Sequence, residues 1–178
     1  MRVVIAHGAS GSAAAMQPHV DALAARGVAA TAIGLPLRRA EAAVDAYRAA
    51  TLALPEPRGE LVIGGQSYGG RVASLLAAGD GGWAGLVLLS YPLHRPGHAD
   101  PEKRIGNWQD LRMPVMMLYG EAEPFARIDL LRRAVEEHLP HAELVTWPRL
   151  GHSLVPVLAE ALDRVASFVA RLARAAAD

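Results

Sequence analysis

The feature that most constrains the fold is a glycine-rich turn between two apolar segments, Gly64-Gly65-Gln66-Ser67-Tyr68-Gly69-Gly70. The apolar residues 61–63 before it are typical of a buried strand, and residues 71–78 after it carry apolar side chains at helical spacing. We therefore predict that Ser67 lies on a tight strand-to-helix turn with a strained backbone. Glycine is required at 65 and 69, because a side chain there would collide where strand and helix approach each other.

Short apolar runs recur along the chain. They are continuous rather than alternating, which is typical of strands that are covered on both faces. Segments with helical periodicity lie between them, and this alternation predicts a parallel sheet in a three-layer αβα sandwich. The predicted strands are 3–6, 28–33, 61–63, 86–89, 115–119 and 144–147.

Helical periodicity is visible in residues 16–24, 40–47, 128–135 and, most clearly, 154–172. We predict one α/β domain that spans residues 1–178. The long connection 91–113 is rich in Pro, Gly, His and charged residues, and we expect it to be a surface loop or a rudimentary lid with a short turn at 107–111.

The composition excludes several classes of protein. The chain has 18 basic and 18 acidic residues, which does not favour nucleic acid or an anionic membrane as a partner. It contains no cysteine, which excludes disulfides and thiolate metal sites. No apolar stretch approaches the roughly 20 residues of a membrane helix, and residues 1–8 do not resemble a signal peptide. We expect a cytoplasmic protein; its oligomeric state is left open.

Two loops at strand ends could supply hydrogen-bond donors for an oxyanion. In the first loop, His7-Gly8-Ala9-Ser10-Gly11-Ser12, the small residues let backbone amides turn inward, and the Ala9 amide is the best candidate. The second donor would be the amide of Tyr68. The alternative of a phosphate-binding loop is disfavoured, since neither nucleotide fingerprint is present.

A serine hydroxyl becomes a good nucleophile when a base takes its proton and an acid orients that base. Ser67, then Glu121 or Glu123, then His152 supply these groups, each after a different predicted strand. The order Ser, acid, His is the one known for α/β-hydrolase sheets, and the elbow pattern G-x-S-x-G agrees with it. No spacing of His, Asp and Glu suggests a metal site.

Together these motifs resemble the α/β-hydrolase superfamily, in particular its small branch similar to dienelactone hydrolases. The matching segments are His7-Gly8-Ala9, Gly65 to Arg71, Ser90-Tyr91-Pro92-Leu93-His94, Pro114 to Phe125 and Gly151-His152-Ser153. The resemblance implies a minimal fold without a full cap domain, six parallel strands ordered 2-1-3-4-5-6, and the roles of nucleophile, base and acid for Ser67, His152 and Glu123.

This chain departs from the branch in two ways. Glutamate stands at 123 where the family has aspartate, so Glu121 stays an alternative acid. The cysteine nucleophile of dienelactone hydrolases has no counterpart, and lactone chemistry is not carried over. Tyr91, His94 and Trp108 are candidate pocket residues, although a packing role is the favoured alternative for Trp108. We expect His7 to support the oxyanion loop and Arg71 to form a structural ion pair.

Two functions are compatible with these motifs. The first is a serine hydrolase that cleaves a small acyl ester through an acyl-enzyme intermediate and needs no cofactor. The second is an inactive scaffold or partner-binding protein with the same fold. An exposed apolar patch at the mouth of the site would favour the scaffold. A nucleotide-binding domain is a third, disfavoured interpretation, because its glycine fingerprint is absent.

Overall fold

The computed structural model describes residues 1–95 and 102–177, without the side chains of 102 and 103. Within these residues one sheet of six parallel strands has the order β2-β1-β3-β4-β5-β6. The predicted strand order is therefore confirmed. The strands are β1 (Arg2–Ala6), β2 (Ala29–Ile33), β3 (Leu61–Gln66), β4 (Gly85–Leu89), β5 (Val115–Gly120) and β6 (Glu143–Trp147).

Helices connect the strands, and each predicted helical segment contains one. They are α1 (Gln17–Ala24), α2 (Val44–Leu52), α3 (Tyr68–Asp80), α4 (Glu102–Ile105), α5 (Ile128–His138) and α6 (Leu158–Ala175). Shorter 3-10 turns lie at Ala13–Met16, Ala40–Ala43, Arg58–Glu60, Trp108–Asp110 and Val155–Val157. The turn at Trp108–Asp110 coincides with the short turn predicted at 107–111.

The sheet has an apolar core on each face, because successive side chains of a strand point to opposite sides. Val4 and Ile63 pack in one core with side chains from α2, α3 and α5. Val3 and Val62 pack in the other with side chains from α1 and α6. This arrangement is the predicted αβα sandwich. The edge strands β2 and β6 are less buried than the four strands between them.

Glycines let β1, β3 and α3 approach each other closely. A Cβ atom on Gly65 would lie 2.6 Å from the backbone carbon of Gly69, and one on Gly69 would lie 2.5 Å from the carbonyl oxygen of Ala6. Backbone atoms cannot move away cheaply, so any side chain would push α3 off the sheet. The sequence-based requirement for glycine at 65 and 69 is therefore met.

A buried tyrosine of α2 ties together the same two strands. The Tyr47 hydroxyl lies 2.8 Å from the carbonyl oxygens of both Val4 and Gly64, and it accepts a hydrogen bond from the Gly64 amide at 3.0 Å. Burial raises the pKa of this phenol well above its ordinary value, so it remains a donor. The carboxyl ends of β1 and β3, where the loop of residues 7–12 and Ser67 begin, are thus fixed side by side.

The connection 91–113 does not run over the surface at its two ends. Tyr91 and Trp108 are fully buried, their ring centroids lie 5.5 Å apart, and the Tyr91 hydroxyl donates to the carbonyl of Arg104 at 2.5 Å. The expectation of a surface loop was wrong for these ends. The segment is polar in composition, but the free energy gained by burying its large aromatic side chains holds them in the core. Residues 96–101 lie outside the described residues.

No helix of the described chain has the length and apolar character to cross a membrane.

Candidate active site

Ser67 follows β3 directly and precedes the first residue of α3. Its backbone has φ 49° and ψ -110°, a strained conformation for a residue with a side chain. Two backbone hydrogen bonds hold it: its amide donates to Leu89 at 2.8 Å, and its carbonyl accepts from Arg71 at 3.0 Å. The turn therefore has the predicted strained geometry.

Glu123 and His152 come together from the loops after β5 and β6. One carboxylate oxygen of Glu123 lies 2.6 Å from Nδ1 of His152, and the other accepts the Phe125 amide at 2.8 Å. The Glu123 side chain is fully buried, whereas that of His152 is 30% exposed. With both oxygens engaged the carboxylate is fixed in orientation. It favours the imidazole tautomer with a proton on Nδ1, which leaves Nε2 free to accept a proton.

Glu121, the alternative acid, points elsewhere. Its Oε1 accepts hydrogen bonds from Arg132 at 2.7 Å and from Thr146 at 2.8 Å. Of the two carboxylates that sequence left open, Glu123 is the one in contact with His152.

The two loops are joined by their backbones. The Glu121 amide donates to Trp147 at 2.9 Å, and the Ala122 amide donates to Leu150 at 2.8 Å. A Cβ atom on Gly120 would collide with the carbonyl oxygens of Leu150 and Gly151. Sequence reasoning missed Gly120; the available signal was a glycine at a strand end immediately before the candidate acids.

The loop after β1 forms a turn closed by a 3.0 Å hydrogen bond from the Gly11 amide to the Gly8 carbonyl. His7 braces it as expected: Nε2 accepts the Leu35 amide at 3.0 Å, so Nδ1 carries the proton and donates to the Gly8 carbonyl at 2.7 Å. Ala9 lies inside the turn. Tyr68 begins α3, where amides have no acceptor within the helix; its hydroxyl donates to the Pro36 carbonyl at 2.7 Å.

The candidate residues line one cavity of about 1350 Å³; they are Ser67, His152, Ala9 and Tyr68. The hydrogen bonds of the described residues do not include one between Ser67 Oγ and His152 Nε2. Without substrate this contact is often long, and it shortens in the reacting complex. The Phe125 ring also lines the cavity and packs on the His152 ring, with 4.8 Å between centroids.

The structure places the three predicted pocket residues outside the cavity lining. Tyr91 and Trp108 are buried in the core. His94 is also buried: Nε2 accepts the Arg127 amide at 3.0 Å, and Nδ1 donates to the Arg95 carbonyl at 2.9 Å. The expectation that Tyr91 and His94 line the pocket was therefore wrong, and Trp108 has the packing role that was the favoured alternative for it. His94 instead braces the loop of Phe125, whose carbonyl accepts the His94 amide at 2.9 Å.

Five arginines line the cavity, a grouping that no sequence motif indicated. Arg71 forms the expected ion pair, at 2.7 Å to Glu41. The arginines of the lining are Arg38, Arg39, Arg71, Arg95 and Arg104.

No group of three or more His, Cys, Asp or Glu residues in the described chain is placed to hold a metal ion.

Comparison with protein families gives a match over nearly the whole chain. The family model described as an alpha/beta hydrolase domain matches residues 1–177. The chain belongs to the alpha/beta hydrolase family. Comparison with curated protein sequences gives no significant match.

Solved structures of low sequence identity share the fold of this alpha/beta hydrolase. A monoacylglycerol lipase of Paleococcus ferrophilus has a TM-score of 0.81 at 14% identity, over 96% of this chain and 94% of that one. A Pyrococcus furiosus esterase has a TM-score of 0.79 at 16% identity, over 96% and 82%. A Pyrobaculum calidifontis esterase has a TM-score of 0.76 at 19% identity, over 97% and 76%.

Proposed function

We propose that this alpha/beta hydrolase is a serine hydrolase that cleaves an acyl ester or a related carbonyl compound through an acyl-enzyme intermediate. Ser67 is the nucleophile, His152 the base and Glu123 the acid that orients the base. The observation that carries the proposal is the 2.6 Å contact between the buried Glu123 carboxylate and Nδ1 of His152, whose side chain lines the same cavity as Ser67.

In the first step Ser67 Oγ attacks the substrate carbonyl carbon while Nε2 of His152 takes the hydroxyl proton. The Glu123 carboxylate stabilises the imidazolium that forms, and no water competes for it because the carboxylate is fully buried. The tetrahedral intermediate then expels the alcohol, which receives the proton from His152. The acyl group remains on Ser67.

The negative charge of the tetrahedral oxygen needs donors that are already in place. The amides of Ala9 and Tyr68 fit this role, because one lies in the Gly8–Gly11 turn and the other at the start of α3, beside Ser67. The amino end of α3 also favours negative charge here. In the second step water, activated by His152, releases the acid and restores Ser67. The proton transfers require no cofactor.

A fluorophosphonate probe tests the proposal, since it reacts covalently with an activated serine. We expect the wild-type protein to be labelled and to hydrolyse a p-nitrophenyl ester, and Ser67→Ala to do neither. Ser153→Ala, an exposed serine beside His152 that has no part in the proposed chemistry, serves as the control. Equal labelling of wild type and Ser67→Ala would contradict the proposal.

The alternative, a partner-binding scaffold, called for an exposed apolar patch at the mouth of the site. Five arginines are among the residues that line the cavity, and the large exposed apolar residues of the described chain, Leu37, Leu52 and Val155, are not part of its lining. The enzyme is therefore the better-supported interpretation. The closer relation to the dienelactone-hydrolase-like branch, the small-molecule substrate and the cytoplasmic location stay predictions.

A further inference from the structure

The cavity is much more basic than the chain as a whole. Five of its twenty lining residues are arginines and one, Glu41, is an acid. The chain itself has equal numbers of basic and acidic residues. A cavity with low-dielectric walls and one sign of charge concentrates ligands of the opposite sign. The lining therefore favours an anion.

One of these arginines differs from every comparable arginine of the described chain. Six arginines there are half-buried, and five of them form ion pairs with carboxylates at 3.5 Å or less. The sixth, Arg104, has no carboxylate partner among the described residues; its Nη1 donates to the Pro92 carbonyl at 3.0 Å. The five paired arginines are Arg2, Arg26, Arg48, Arg58 and Arg71.

The surroundings of Arg104 disfavour its charge on balance. Burial lowers the pKa of its guanidinium and the charges of Arg71 and Arg95 lower it further, while Tyr91 and Glu41 offset part of this shift. Arg38 and Arg95, which are exposed, also lack a carboxylate partner within the described part of the chain. Since a partly buried charge without a counterion is costly, an anion that entered the cavity beside Arg104 would be stabilised, and Arg95 is close enough to act on the same charge.

The cavity is also larger than a short acyl ester needs. Its volume of about 1350 Å³ exceeds the roughly 300–1,000 Å³ usual for small-molecule sites. A substrate can therefore place its ester at Ser67 and still extend a second group toward the arginines.

We propose that the substrate of this enzyme carries a phosphate group, held by Arg104 together with Arg95, while its ester lies at Ser67. This inference rests on the proposed function. One guanidinium can satisfy both oxygens of a carboxylate, whereas a phosphate monoester, with three oxygens and about two negative charges, can be bound by two guanidinium groups at once. Ser67 cleaves the ester C–O bond, water replaces the alcohol on the acyl carbon, and the phosphate stays intact.

Three matched esters test the inference: 1-butyrylglycerol 3-phosphate, 1-butyrylglycerol, and the analogue with a carboxylate in place of the phosphate. Removing a charge-assisted hydrogen bond typically costs about a ten- to hundredfold factor. We therefore expect kcat/KM for the phosphate ester to exceed that of the neutral ester by about this factor. The preference should fall toward one in Arg104→Gln and persist in Arg133→Gln, an exposed arginine of α5 outside the cavity. Added salt should also weaken it.

The outcomes separate this inference from the proposed function. If the neutral ester is cleaved in a Ser67-dependent way but the phosphate ester is not preferred, the inference is overturned and the proposed function stands. If the carboxylate analogue is preferred equally, the assignment of phosphate is overturned. If no ester is cleaved, the proposed function fails. Binding of inorganic phosphate to wild type, measured by calorimetry and lost in Arg104→Gln, would then still support the anion site.

Discussion

Two serines of this protein occupy equivalent places at neighbouring strand ends. Ser67 follows β3 and Ser90 follows β4, and both have φ 49°. The amide of Ser67 donates to Leu89 at 2.8 Å, and the amide of Ser90 donates to Leu118 at 2.9 Å. Each serine is therefore held in a strained conformation by the next strand of the sheet.

The two serines differ in the chain that comes after them. After Ser67 a helix begins at once, and the residue lines the cavity with His152. After Ser90 the chain enters the core through Tyr91, and the Ser90 hydroxyl is buried with no hydrogen-bond partner in the described chain. Backbone strain alone thus does not distinguish a candidate nucleophile. What distinguishes Ser67 is the helix that starts directly after it and the cavity that it shares with His152.

The largest effect should come from the Glu123 carboxylate, because the Glu123–His152 pair is present at the Ser67 end and has no counterpart described at Ser90. Glu123→Gln puts an amide opposite Nδ1 of His152, which disfavours the tautomer that accepts the Ser67 proton. We expect kcat to fall by about 10⁴-fold, measured with a p-nitrophenyl ester. Glu121→Gln, which weakens the ion pair with Arg132 and changes no contact of His152, is the control and should keep kcat within a few-fold. Equal losses in the two variants would contradict the assignment of the acid.

A second effect should appear in stability, because the Ser67 turn needs close contact between α3 and β1. Gly69→Ala places a Cβ 2.5 Å from the Ala6 carbonyl oxygen and should lower the free energy of unfolding by about 2–4 kcal/mol. Gly79→Ala lies in the same helix with nothing within 4 Å of its added Cβ, and it should raise stability by about 0.5–1 kcal/mol. Urea denaturation measures both; similar values would show that α3 has room to shift.

The smallest effect concerns strain at the Ser90 end. Ser90→Gly and Ser90→Ala both remove the unpartnered hydroxyl, but only glycine tolerates the positive φ without strain. We expect Ser90→Gly to be more stable than Ser90→Ala by about 1 kcal/mol in urea denaturation, with esterase activity retained in both. The pair Ser67→Gly and Ser67→Ala should show the same order of stability with no activity. If alanine is the more stable at Ser90, the two strand ends differ in strain as well as in surroundings.

Much of the architecture was predictable from local patterns. Continuous apolar runs marked all six strands, and helical spacing marked the main helices, because burial on the two faces of a parallel sheet imposes these periods on sequence. The elbow was predictable for the same reason: glycines at 65 and 69 around a serine, between a strand and a helix, allow few other backbones. Ser67, Glu123 and His152 could be proposed because parallel strands bring their carboxyl ends to one edge.

The sequence by itself determined the strands, the helices, their layering and the turn at Ser67, since these depend on residues close together in the chain; the strand order was expected only from the family resemblance. Only the tertiary structure decided between Glu121 and Glu123, because both lie at the same strand end and their side chains diverge to Arg132 and His152. It also moved Tyr91, His94 and Trp108 into the interior and gathered arginines from four segments around one cavity. Such groupings depend on how side chains point from loops that are far apart in the chain. A local hydrophobic pattern does not predict these orientations.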